Sequence, residues 1–114
     1  MKLTSKEKLD LVVKLLEDKK AVDLEVIDLT EKSLMCDYFV ICTGTSNIHI
    51  RALCDTITLD GRKVGLKKSS IEGRSNAKWI LVDFGDIVVH IFDKEEREFY
   101  NIEDLWAKVK PLEQ

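Results

Sequence analysis

The chain has 114 residues, of which 45% are hydrophobic and 34% charged, with a formal net charge of −3. That length is one domain, and Leu, Ile, Val and Phe together supply 38 residues, too many for a disordered chain. No apolar run approaches the roughly 18 residues of a spanning helix, residues 1–7 turn charged without a secretory apolar stretch, and three cysteines with no Cys-x-x-Cys make no disulfide framework; the expected setting is a reducing cytoplasm with no membrane attachment.

Thr4-x-x-Glu7 has the form of a capping box, in which hydroxyl and carboxylate each satisfy a free N–H at a helix start. Leu9, Val12, Val13 and Leu16 follow in helical phase, which predicts an amphipathic helix over 5–19. Val22, Leu24 and Val26 alternate with Asp23 and Glu25, the pattern of a strand over 21–28 with one wet face. After an irregular connection, Tyr38 to Thr43 is apolar on both faces, as in a strand covered on both sides.

Ser46 is a natural N-cap for a second helix, whose stripe of Ile50, Leu53, Cys54, Ile57, Gly61 and Val64 carries it to about residue 63. Gly65 is its predicted stop, and Gly61 its predicted close packing contact. A weak strand is expected over 64–71. Residues 79–84 and 87–92 are strong strands joined by Gly85-Asp86, the form of a tight antiparallel hairpin. Short helices over 94–100 and 102–109 complete an α/β domain with a mixed five-stranded sheet flanked by helices, its core spanning about 4–109 of a single 1–114 domain.

Charge is uneven along this plan. Residues 1–61 sum to −3, residues 62–78 to +5 and residues 79–114 to −5. An acidic C-terminal third speaks against laying the whole domain on nucleic acid, and fits a basic protein partner better. The basic segment holds Lys67, Lys68 and Arg74; it is either a solvated loop and strand edge or the binding surface of an RNA-binding module that uses residues 62–78, an alternative function for the chain.

Few residues suggest chemistry. Asp83-Phe84-Gly85 spells a kinase magnesium tripeptide, but the chain lacks every other kinase element and the hairpin accounts for the letters. Cys36, Cys42, Cys54, His49 and His90 match no zinc spacing, so no metal site is expected. Gly44-Thr45-Ser46, between a strand and a helix, has the form of an anion site and of the Gly-Ser turn of nucleotidyltransferases. The Asp pair that would hold magnesium there is missing from the next strand, so neither catalysis nor a cofactor is expected, and a divergent nucleotide-binding role is the enzyme-like alternative. On the hairpin, Trp79, Leu81 and Asp83 share one face. An aromatic beside a carboxylate on an open sheet face is the form of a protein-binding patch; the pattern equally allows Trp79 to pack beneath a helix.

Several linked segments resemble one family. Residues 37–46 (DYFVICTGTS), Ile71-Glu72-Gly73, residues 79–92 (WILVDFGDIVVHIF), Arg97-Glu98-Phe99-Tyr100 and Leu105-Trp106 together are similar to the ribosomal silencing factor RsfS, or iojap, family, in one ungapped register from about Val22 to Trp106. The resemblance implies a nucleotidyltransferase-like fold without the activity, and binding to the large ribosomal subunit through ribosomal protein L fourteen. It also implies a block to subunit joining that lowers translation under nutrient limitation, and a homodimer when free. On that basis Trp79, Leu81 and Asp83 are the expected centre of the partner-binding patch, with Glu72, Asp86 and His90 beside it. Lys67, Lys68 and Arg74 are the candidate ribosomal RNA contacts. The chain departs from the family pattern at residues 58–61, where the second helix is expected to fray, and at residues 67–70.

Overall fold

A computed structural model describes residues 2–112. The elements run α1 (Ser5–Asp18), β1 (Val22–Asp28), β2 (Tyr38–Thr43), α2 (Asn47–Asp55), α3 (Gly61–Lys63), β3 (Ser70–Glu72), β4 (Trp79–Asp83), β5 (Ile87–Phe92), α4 (Lys94–Tyr100) and α5 (Ile102–Ala107). The five strands form one mixed sheet in the order β1-β2-β5-β4-β3, in which β2 and β5 are parallel and the other neighbours antiparallel.

The capping box forms as the spacing requires: Thr4 Oγ1 accepts from Glu7 N at 3.1 Å and Glu7 Oε1 from Thr4 N at 2.9 Å. α1 then buries Leu9, Val12 and Leu16 against one sheet face. α2 and α3 cover the same face, where Ile50, Leu53, Cys54 and Ile57 meet Val40, Cys42, Ile80, Val82, Val89 and Ile91 in the main core. The helices after β5 pass to the opposite face, and Ile102 closes a smaller cluster on Ile41 and Phe92 there. Arg97 ties them to the sheet, donating from Nε to Glu103 at 3.0 Å and from Nη1 to the Thr43 hydroxyl at 2.9 Å.

Three local expectations change. The alternation read over β1 is interrupted: pairing steps from Val22↔Thr43 to Glu25↔Ile41, which inserts one extra residue, and Asp23 takes a left-handed φ of 48°. Val22 and Leu24 therefore no longer share a face, and Leu24 alone of the two joins the main core. The second helix does not fray at residues 58–61. It widens into a π-helical turn over Thr56–Asp60, in which Thr56, Ile57 and Thr58 are buried and the Thr58 hydroxyl donates to the Cys54 carbonyl at 2.9 Å. Packing on the core outweighs the weak local helix preference of that stretch. Gly61 is the predicted close contact, since a Cβ there would sit 3.0 Å from Leu66 Cδ1.

The weak strand expected over 64–71 is shorter. Val64 and Gly65 belong to the helix end, with Gly65 at φ 98° and the Leu66 amide bonded back to the Gly61 carbonyl, so that only Ser70–Glu72 pairs with β4. The last helix likewise stops at Ala107 rather than Val109. The hairpin turn is as expected: the Phe84 amide donates to the Ile87 carbonyl at 2.9 Å, and Gly85 takes a positive φ of 93°.

Candidate protein-docking face

The sheet face opposite α1 and α2 is covered by α4 and α5 over part of its width only. Register places Glu72, Leu81 and His90 in one row across β3, β4 and β5, with Trp79 opposite Phe92 and Asp83 opposite Val88. Glu72 is exposed, whereas Trp79, Leu81 and Asp83 are half-buried. Glu72, Gly73, Trp79 and Leu81 line a shallow depression of about 240 Å³. Of the six residues expected in the patch, Trp79, Leu81, Asp83 and Glu72 are therefore brought together on an open surface.

Trp79 realises both readings left open by the sequence. One side of its indole is packed, 4.8 Å from Phe92 at an interplanar angle of 29° and 4.8 Å from Tyr100. The rest reaches solvent. Asp83 uses one oxygen to accept from the Gly85 amide at 2.7 Å, which fixes the hairpin turn. A carboxylate held this way has lost rotamer freedom before any partner arrives.

Two expected members of the patch do not contribute to its exposed surface. Asp86 turns toward α1, where Lys8 Nζ lies 2.8 Å from Oδ1 and the Ser5 hydroxyl donates to Oδ2 at 2.6 Å. Burial works to raise its pKa; the hydrogen bonds from Lys8 and Ser5 outweigh this and hold it below the usual carboxylate value. Its charge is satisfied inside the protein. His90 lies on the correct face but is only 4% exposed, beneath the aromatic layer. Burial lowers its pKa to about 4, so it is neutral at physiological pH. It supports the surface from below.

The basic residues do not join this face. Lys67 and Lys68 line a separate depression with Thr58, Arg62 and Leu66, beside the helices of the opposite face. The Arg74 guanidinium is engaged by both oxygens of Asp55, at 3.0 and 2.7 Å, and the hydrogen bonds and charge of that carboxylate raise its pKa further. At Gly44-Thr45-Ser46 two of the amides are occupied from within: Gly44 N donates to the Phe92 carbonyl at 3.0 Å and Thr45 N to His49 Nδ1 at 2.9 Å. The cysteines are buried, and burial raises Cys42 to about 12 and Cys54 to about 11, which leaves both thiols protonated.

Sequence reasoning assigned no role to Phe99 and Tyr100. Tyr100 touches Trp79, and Phe99, 79% exposed, meets Tyr100 edge-on at 5.0 Å. Two adjacent aromatics ending a short, highly charged helix were the available signal, because α4 buries no residue of its own. Leu105 is also exposed on α5. The open face thus joins Trp79 and Leu81 to Tyr100 and, through it, Phe99, with Glu72 and Asp83 at one side.

The chain is thus an α/β domain with one sheet face left partly open around Trp79, Leu81, Asp83 and Glu72. A family model described as "ribosomal silencing factor during starvation" matches residues 2–114, and the chain belongs to that family. It is 35% identical over 97% of its length to a ribosomal silencing factor RsfS of Halalkalibacterium halodurans, covering 95% of that protein. It is 42% identical over 80% of its length to the one from Bacillus subtilis, covering 77% of that protein. A crystal structure of a protein from Chromobacterium violaceum superposes with a TM-score of 0.89 at 31% identity, covering 96% of this chain and 92% of that one. Among the described residues no helix is long and apolar enough to cross a membrane.

Proposed function

We propose that the protein represses translation by docking its open sheet face on the large ribosomal subunit, through ribosomal protein L fourteen, and so blocking association with the small subunit. The observation that carries this reading is Trp79: a half-buried aromatic, fixed by Phe92 and Tyr100, at the centre of an acid-edged apolar surface. Aromatic anchors of this kind dominate interface energetics, and a surrounding rim of charge selects the partner. Trp79 and Leu81 supply desolvated area, while Glu72 and Asp83 pair with basic groups on the ribosomal protein. No reaction is required. A body of 44 × 39 × 21 Å, lodged where two subunits meet, keeps their surfaces apart by volume alone.

Lys67 and Lys68 extend the contact to ribosomal RNA at the periphery, and Arg74 takes no part because Asp55 holds it. Free of the ribosome, in the cytoplasm, the chain forms a homodimer; its exposed apolar band is the kind of surface that gains from being covered. Binding of purified large subunits to immobilised protein tests the reading. Trp79→Ala is expected to weaken binding about thirty-fold or more, as truncation of a central anchor does. Wild-type protein that retains no large subunit contradicts the proposal.

A further inference from the structure

Trp79 Nε1 lies 3.1 Å from His90 Nδ1. An indole N–H donates and never accepts, so Nδ1 is the acceptor and the single proton of neutral His90 sits on Nε2. That Nε2–H is itself buried without a hydrogen-bond partner. Around the imidazole are rings: Phe39 at 4.6 Å, Trp79 at 5.9 Å and Phe92 at 6.2 Å between centroids. An aliphatic side chain would fill this place without stranding a donor, and stranded donors in apolar surroundings oppose folding. Stability alone gives no reason for a histidine here. What the imidazole supplies, and a leucine does not, is one acceptor.

The donor that uses this acceptor belongs to the anchor of the open face. Stacking on Phe92 and a tilted contact with Tyr100 hold the indole plane but do not choose between its two flipped orientations about the Cβ–Cγ bond, because either places a ring against the same neighbours. A hydrogen bond from one edge does choose. We infer that His90 is a positioning residue, which fixes the orientation of the Trp79 indole before a partner docks. This rests on the docking reading of the face and adds to it the group that preorganises the anchor, so that less side-chain freedom is lost on binding.

Two variants test it. His90→Leu removes the acceptor at similar volume, and His90→Asn places a carbonyl oxygen close to where Nδ1 stood. The Trp79 indole N–H resonance, identified by its loss in Trp79→Phe, reports the hydrogen bond; urea unfolding reports stability; and binding to isolated large ribosomal subunits reports docking. His90→Leu is expected to fold at least as stably as wild type, to shift the Trp79 indole signal and speed its exchange with solvent, and to bind roughly ten-fold more weakly, the worth of one such bond. His90→Asn is expected to recover most of both the signal and the affinity. A Leu variant that binds like wild type, or is markedly less stable, overturns the inference, as does an Asn variant no better than Leu. If wild type binds no large subunit, the docking reading fails by itself, and the indole signal still decides whether His90 orients the ring.

Discussion

Gly73 sits in the connection that delivers the chain from β3 to Trp79, and its replacement by alanine should be costly for two separable reasons. Its φ is 84°, a left-handed conformation in which a Cβ costs about 1–2 kcal/mol. The added Cβ would also overlap the Trp79 carbonyl oxygen, a backbone atom at the start of β4 that cannot swing aside like a side chain. Relieving that overlap means moving the strand, at about 1–3 kcal/mol for an overpacked site. Gly73→Ala should thus lose about 2–5 kcal/mol, a large share of the roughly 5–15 kcal/mol that holds a domain folded. Gly85→Ala is the control: its φ is 93° but nothing lies within 4 Å of its Cβ, so it should lose only the conformational part, about 1–2 kcal/mol. Urea unfolding at constant slope measures both. Equal losses in the two variants, or a Gly73→Ala loss under about 0.5 kcal/mol, would refute the steric argument.

Three further outcomes are expected. His90 is held neutral in the fold at about 4 against an ordinary 6.5, so the unfolded chain binds the extra proton first. Its contribution is neutral above pH 6.5 and destabilises progressively from there down to 4, by about 3 kcal/mol in all. Denaturant titrations from pH 7 to pH 4 should show this slope in wild type and not in His90→Leu. Asp86, with its lowered carboxylate pKa, acts with the opposite ordering: its stabilisation is present above the unfolded carboxylate value of 3.8 and is lost only as the pH falls through its folded value. Asp86→Ala should cost about 1.5–3 kcal/mol by removing the charged bond to Lys8, yet leave subunit binding unchanged; weakened binding at intact folding would return Asp86 to the docking face. Lys67→Ala and Lys68→Ala should each weaken subunit binding modestly and flatten its salt dependence, whereas Arg74→Ala should do neither, measured as affinity against salt concentration.

Much of the fold was legible because periodicity and punctuation agreed. The Thr4–Glu7 box, the Ser46 cap, the Gly85 turn and the apolar runs of β2, β4 and β5 each pointed to one structure. The misreadings have local physical causes. A bulge at Asp23 is invisible to a rule of strict alternation, since one inserted residue re-faces everything beyond it. The π-turn over Thr56–Asp60 has weak local propensity and exists because Thr56, Ile57 and Thr58 are buried against the core. At the candidate site, strand parity correctly grouped Trp79, Leu81 and Asp83, and register brought Glu72 alongside. Parity could not say which residues of the face lie under a helix, which is why His90 was read as a surface group. Nor could it show that Asp86, in a turn and so outside any parity, would swing to α1 and meet Lys8 from 78 residues away. Tyr100 reaches Trp79 only through the packing of α4 across the sheet, a tertiary contact with no local signature.

The central claim is that the open face holds ribosomal subunits apart. Separated subunits, recombined with and without the purified protein and resolved by sedimentation, test it most directly, with Trp79→Ala alongside. The account predicts that wild type co-sediments with the large subunit and leaves the two subunits unjoined, and that Trp79→Ala stays at the top of the gradient while joined ribosomes form. Subunits that join normally in the presence of wild-type protein would contradict it.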